Sequence, residues 1–184
     1  VSQSSATGTQ FLQAVGCALS RKLEKNNELV YVSAGEGTTS QGDFHEALNW
    51  ASNSKAPVIF HIQDNEYAIS THKSIQNADS VYAMSAGYRN LGRYDVNGVD
   101  FFETNLAFKE AAERARKGKG PSLIVSNVVR LLPHSSSDDQ RKYRTKQELI
   151  EDKKRDPILI LQGQCIKNKI ISIKEFEKID NEIR

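Results

Sequence analysis

Apolar residues along this chain alternate between two spacings. From Thr9 to Lys25, Phe11, Leu12, Val15, Ala18, Leu19 and Leu23 recur at helical spacing, which predicts an amphipathic helix ended by Asn26-Asn27. Glu28 to Ala34 is short, β-branched and aromatic, and predicts a strand that ends in Gly35-Glu36-Gly37. Ser40 and Asp43 resemble a helix cap, and Phe44, Ala47, Leu48 and Ala51 carry that helix to Asn53. Pro57 to Gln63 is nearly continuous in apolar character, as a strand covered on both faces should be. Asp64 to Asn77 reads as polar loop. Ala78 to Tyr88 reads as a helix with Val81, Met84 and Ala86 inward. Arg93 to Val96 predicts a short strand. Asp100 caps a helix to Lys117 with Phe101, Leu106, Phe108 and Ala111 as its apolar members. After the stop Lys117-Gly118-Lys119-Gly120-Pro121, Ser122 to Val129 predicts a fourth strand. A polar segment from Leu132 to Glu148 precedes two closing helices. Pro157 suits the first position of one, and Ser172 with Glu175 forms a capping box for the other.

Strands alternating with helices predict an α/β fold, a parallel sheet with helices on both faces. In such sheets ligands sit outside the carboxyl ends of the strands. Three places qualify: Gly35-Glu36-Gly37, Gln63-Asp64-Asn65 and the segment from Arg130 to Asp139.

The 184 residues suffice for one domain, taken as 1–184, with 157–184 as closing helices. Lys and Arg number 25 against 23 Asp and Glu, so no strongly basic face is expected and nucleic acid is not the default partner. The longest aliphatic run, Ile158 to Leu161, is too short to cross a membrane, and no targeting leader is visible. The chain opens at Val1 without an initiator methionine, so a piece of a longer polypeptide is expected. Cys17 and Cys165 have no metal spacing; both are expected as buried helical thiols in a reducing, cytoplasmic setting.

Glu36 and Asn65 each stand just past a strand with one helix between, so a single crossover can bring them together. A carboxylate and an amide oxygen are hard ligands that suit Mg²⁺, which completes its octahedron with phosphate oxygens and water. Gly35 and Gly37 leave room for a diphosphate, and the helix from Ser40 presents N–H groups to an anion. A glycine turn with a solvated glutamate stands beside this reading on the residues alone. His134, in a polar loop, likewise reads on its own as a surface residue.

The stretch GEGTTSQGDFHEALNWASNSKAPVIFHIQDNEYAIS resembles the thiamine diphosphate fingerprint. In that fingerprint GDG or GEG is followed, one crossover later, by an Asn-Asn pair. ATGTQFLQAVGCALS, YAIST and PHSSSDDQRKYRTKQEL are similar to further segments of one family, the α part of the E1 component of 2-oxoacid dehydrogenases, nearest the branched-chain (2-oxoisovalerate) type. The resemblance implies the thiamine diphosphate-binding fold, incomplete at its N-terminus, with thiamine diphosphate and Mg²⁺ as cofactors. It implies Glu36, Asn65 and the Tyr67 carbonyl as metal ligands; Gly35, Gly37 and Thr38 along the diphosphate; and Ser5 and Thr7 toward the aminopyrimidine. It makes His134 the catalytic histidine in an active-site loop over 131–148. It further implies decarboxylation of a branched-chain 2-oxoacid, acyl transfer to the lipoyl domain of E2, an E1 β part as a separate subunit or fused half, and a dimer or α2β2 assembly. The β part supplies a glutamate needed for turnover, so the piece alone is expected to be inactive. Ser135 to Ser137 correspond to the loop that animal members phosphorylate, a role not expected here.

Several positions depart from the family. Asp64 replaces the first Asn of the pair, and Gln63 replaces an Arg that reaches the diphosphate. Leu132-Pro133 replaces a Gly-containing approach to His134. Glu66 replaces a Gly and must avoid a positive φ or bear its strain. A transketolase-like enzyme shares the fingerprint but not the histidine loop. A noncatalytic α/β assembly module is the reading from a different class.

Overall fold

A computed structural model describes residues 5–183; residues 1–4 and 184, the outermost of the expected domain, lie outside it. Among the described residues six strands form, β1 (Val30–Gly35), β2 (Val58–Asp64), β3 (Tyr67–Ala68), β4 (Thr71–His72), β5 (Gly92–Asn97) and β6 (Ser122–Asn127). The helices are α1 (Thr9–Leu23), α2 (Gly42–Ser54), α3 (Lys73–Gln76), α4 (Val81–Met84), α5 (Phe101–Arg116), α6 (Lys146–Lys154), α7 (Pro157–Lys167) and α8 (Ile173–Ile183). The main sheet has the order β1-β2-β6-β5, all parallel, and β3 with β4 makes a small antiparallel hairpin. Gly35 pairs with Gln63, Gln63 with Ser126, and Asn97 with Asn127, so the strands end together along one edge.

Helices cover both faces. On one, Phe11 of α1 and Phe44 of α2 pack at a ring distance of 5.0 Å, and Phe11 meets Phe60 of β2 at 6.1 Å. On the other, α5 lies over Ile59, Val96 and Ile124. β2 is buried on both sides at five successive residues, which is why its sequence is almost unbroken in apolar character.

Several local expectations change. The buried stripe of α5 is Ala107, Ala111 and Ala115, while Phe101 and Leu106 are exposed; small residues let a helix axis lie close on a sheet. The expected helix over 78–88 contracts to α4 plus a 3₁₀ turn, and Ala86 is exposed. Ser40 does not cap α2, because its hydroxyl bonds Asn77 instead; Gln41 stands at the cap without a side-chain bond. α6, with its Thr145–Glu148 capping box, begins inside the segment read as polar loop and runs past its end. Cys17 is exposed, on the side of α1 away from Phe11 and Val15, and Cys165 is half-buried. Asp100, Pro157 and Ser172–Glu175 start their helices as expected. Among the described residues no helix is long and apolar enough to cross a membrane.

His61 in β2 is buried between two hydroxyls, with the Tyr31 oxygen 2.8 Å from Nδ1 and the Ser126 oxygen 2.9 Å from Nε2. Burial pulls its pKa below the ordinary 6.5. The unfolded chain therefore binds more protons as pH falls below about 6.5, and the fold loses stability from there down toward the lowered pKa. Denaturation midpoints taken from neutral to mildly acid pH should show this loss, and His61→Gln should flatten the profile.

Candidate functional site

Glu36 and Asn65 meet at the carboxyl edge of the sheet because their strands are neighbours. Glu36 opens a 3₁₀ turn, Glu36–Ser40, whose Thr39 hydroxyl donates to the Glu36 carbonyl at 2.6 Å. The Glu36 side chain is 1% exposed. Its Oε2 accepts the Asn65 backbone N–H at 3.2 Å, whereas Oε1 is buried with no hydrogen-bond partner among the described residues. Burial raises its pKa; the neighbouring Asp64 charge acts in the same direction, and backbone N–H groups and Lys73 act against it. A buried carboxylate oxygen with no donor is costly, and a bound cation removes that cost. The two turns border a cavity of about 390 Å³ that also meets Thr7, Gly35, Gly37, Thr38, Tyr67 and His134.

The β3–β4 hairpin forms one wall. Both of its ends are strained: Glu66 has φ +72°, so it bears the strain that replacing a glycine implied, and Ile69 has φ +56° although it is β-branched. The Glu66 N–H donates to Asp64 Oδ1 at 2.9 Å, and the Glu66 carbonyl accepts from the Lys73 N–H at 2.9 Å. These bonds hold the conformation. The hairpin rests on the GEG turn, since a Cβ at Gly37 would stand 2.6 Å from the Ala68 Cβ. Gly37 is thus required by the approach of Ala68. A Cβ at Gly35 would find its nearest neighbour at 4.0 Å.

The segment bearing His134 docks on the same hairpin through the Tyr67 side chain. The Tyr67 hydroxyl donates to Glu148 at 2.8 Å, and the Arg130 and Arg144 guanidinium groups lie 5.7 Å and 5.3 Å from its ring. Glu148 also accepts from the Thr145 N–H and hydroxyl; these bonds, the Thr145 N–H first, lower its pKa to about 2. Arg130 donates to the Tyr143 hydroxyl at 2.7 Å, which donates to Asp138 at 2.6 Å. Asp138 in turn accepts the His134 backbone N–H at 2.9 Å, and the Tyr143 and His134 bonds hold its pKa down. This chain of bonds fixes where His134 enters the cavity, although Leu132-Pro133 stands in its approach.

The whole chain, residues 1–184, matches the family model described as dehydrogenase E1 component. The chain belongs to the dehydrogenase E1 component family. It is 44% identical over 173 residues to the 2-oxoisovalerate dehydrogenase subunit alpha of Bacillus subtilis (strain 168), covering 94% of this chain and 52% of that protein. It is 41% identical over 153 residues to the pyruvate dehydrogenase E1 component subunit alpha of Staphylococcus aureus (strain Mu50 / ATCC 700699), covering 83% and 41%. The chain thus spans about half the length of the curated relatives it matches. A solved structure from Mycobacterium smegmatis, described as a thiamin diphosphate-dependent enzyme, shares the fold at a TM-score of 0.51. It is 20% identical, over 68% of this chain and 22% of its own.

In this E1 component chain, the structure gathers most of the residues singled out by sequence around one cavity. The exception is Ser5, which is exposed and does not line it. Gln41, Ala68 and Ile69 line it without having been singled out. Ala68 and Ile69 stood in the quoted YAIST segment, but nothing in their side chains signals chemistry. Gln41 packs against Gly8, whose φ is +102°; a Cβ there would lie 3.0 Å from the Gln41 Cβ. Gln63 is exposed and does not line the cavity. The acidic departure at Asp64 is balanced by Lys73, whose ammonium lies 3.0 Å from its carboxylate. Among the described residues no three His, Cys, Asp or Glu side chains converge on one point. The carboxylate of Glu36 and the amide residue Asn65 both border this cavity, a pairing whose oxygen chemistry fits a hard ion sharing its shell with phosphate.

Proposed function

We propose that this chain carries the magnesium–diphosphate half of a thiamine diphosphate site in the α part of a 2-oxoacid dehydrogenase E1. The observation that carries this reading is the buried, unpartnered Oε1 of Glu36 in a cavity shared with Asn65 and Tyr67. Glu36 and Asn65 hold Mg²⁺ by side-chain oxygens, and Tyr67 adds its carbonyl. Gly35, Gly37 and Thr38 border the diphosphate, and Thr7 faces the aminopyrimidine side. When bound, thiamine diphosphate supplies the nucleophilic carbon that lets a 2-oxoacid lose carbon dioxide. His134 hydrogen-bonds phosphate or steadies charge that develops near the reacting carbon. The Arg130–Tyr143–Asp138 chain orients the segment that carries it.

The substrate class is a branched-chain 2-oxoacid, supported by the 44% identity to a 2-oxoisovalerate dehydrogenase subunit. The acyl group passes to a lipoyl domain of E2, and an E1 β part completes the site within an α2β2 assembly in the cytoplasm. Calorimetry on the full-length protein tests the core of the reading. Thiamine diphosphate should bind with Mg²⁺ present and lose binding with EDTA; binding that ignores the metal would overturn it. The 184-residue piece by itself should release no carbon dioxide from any 2-oxoacid, and measurable release would overturn that part.

A further inference from the structure

The β1–β2 ladder ends at the Gly35–Gln63 pair, so sheet hydrogen bonds stop before either metal-ligand turn. Beyond it, the 3.2 Å bond from the Asn65 N–H to Glu36 joins the turns directly. A further connection, beside the Ala68–Gly37 contact, is α3. At one end of α3, the Lys73 N–H donates to the Glu66 carbonyl at 2.9 Å, and its ammonium lies 3.0 Å from Asp64 and 3.4 Å from Glu66. Both neighbours of Asn65 are thereby held. At the other end, Gln76 Nε2 donates to the Gly37 carbonyl at 2.7 Å and to the Ser40 hydroxyl at 2.6 Å. Ser40 passes its own proton to Asn77 at 3.4 Å.

We propose that Gln76 is a positioning residue for the metal–diphosphate site: carried on α3, it sets the distance between the turn bearing Glu36 and the turn bearing Asn65. The inference rests on the function proposed above. Gln76 does not line the cavity, and its amide donates to the Gly37 carbonyl and the Ser40 hydroxyl, so its action is through the turn that follows Glu36. Its amide has one workable orientation, because a flipped oxygen would face the Gly37 carbonyl, which only accepts. The opposite anchor has a second consequence. Bound to Lys73, Asp64 borders a neighbouring cavity of about 300 Å³ and not the one that Glu36 faces. A second carboxylate is thus kept out of the donor set.

The test is a magnesium titration of the full-length protein at fixed thiamine diphosphate, followed by calorimetry, with melting of the metal-free protein measured alongside. Gln76→Glu keeps the side-chain size and replaces the donor by an acceptor. The magnesium needed for half-saturation should rise about 10–100-fold, the usual cost of losing a group that orients a ligand. Excess magnesium should restore full stoichiometry. Ser40→Ala, which removes one of the two acceptors at an exposed position, should shift half-saturation in the same direction by a smaller factor. Wild-type protein that binds with metal while both variants keep its half-saturation point would overturn the inference and leave the proposed function standing. Variants that lose stoichiometry and melting temperature while the bound fraction keeps wild-type affinity would also overturn it, since that is a folding effect alone. Wild-type protein that binds nothing would overturn the function itself.

Discussion

Glu36→Gln should severely weaken magnesium-dependent binding of thiamine diphosphate while leaving the metal-free protein as stable as before or more so. The two effects have opposite signs because one atom causes both. Glu36 is buried, one of its oxygens has no donor, and burial raises its pKa. Without a cation, the charged side chain opposes folding, and a neutral amide of the same size relieves that by about 1–3 kcal/mol. With a cation, the charge is the attraction. Losing a direct ligand should exceed the 10–100-fold loss typical of outer groups, so affinity should fall by at least about a hundredfold. Calorimetry and chemical denaturation on the same two proteins read both effects. A variant that binds the cofactor normally, or one that unfolds, would remove the metal role. Stability given up for function at one buried charge is the pattern expected of a binding site.

Arg144→Met should undock the segment that carries His134. Arg144 is 6% exposed, donates to the Arg130 carbonyl at 3.1 Å and to Gln140 at 3.2 Å, and pairs with Asp152. Its guanidinium also stacks on the Tyr67 ring. Methionine refills most of the volume but leaves Asp152 without its cation; because Asp152 is half-buried and can be rehydrated, the cost stays below the roughly 3–5 kcal/mol of breaking a fully buried pair. The cost falls locally, because α6 buries no residue fully and Tyr67 is the point where this segment meets the hairpin. Hydrogen exchange should therefore accelerate over 130–154, while the sheet keeps its protection. Lysine should not rescue, since it lacks the planar fork that serves three acceptors at once. Unchanged exchange over that segment would show that docking does not depend on Arg144.

Periodicity and local spacing along the chain were enough for the alternation of strands and helices, the parallel sheet and the helix starts at Asp100, Pro157 and Ser172. Each depends on residues within a turn of one another, and local spacing records such relations directly. The convergence of Glu36 and Asn65 was also legible, because one crossover between two strand ends leaves few places for them to go. The chain's own order could not say which side of α5 would meet the sheet. Large apolar residues pointed to Phe101 and Leu106, but close approach selected the alanines. Nor could it reveal that Gly37 yields to Ala68, that Lys73 answers Asp64, or that Gln76 holds the GEG turn. These depend on atoms from separate loops reaching contact distance beyond the last paired residues of the sheet, where no repeat in the sequence sets the geometry. The sequence by itself determined the layers and the meeting of Glu36 with Asn65. Only the tertiary structure decided that Glu36 would be sealed from water with an oxygen unmet, since burial is a property of everything packed around a residue and not of the residue itself.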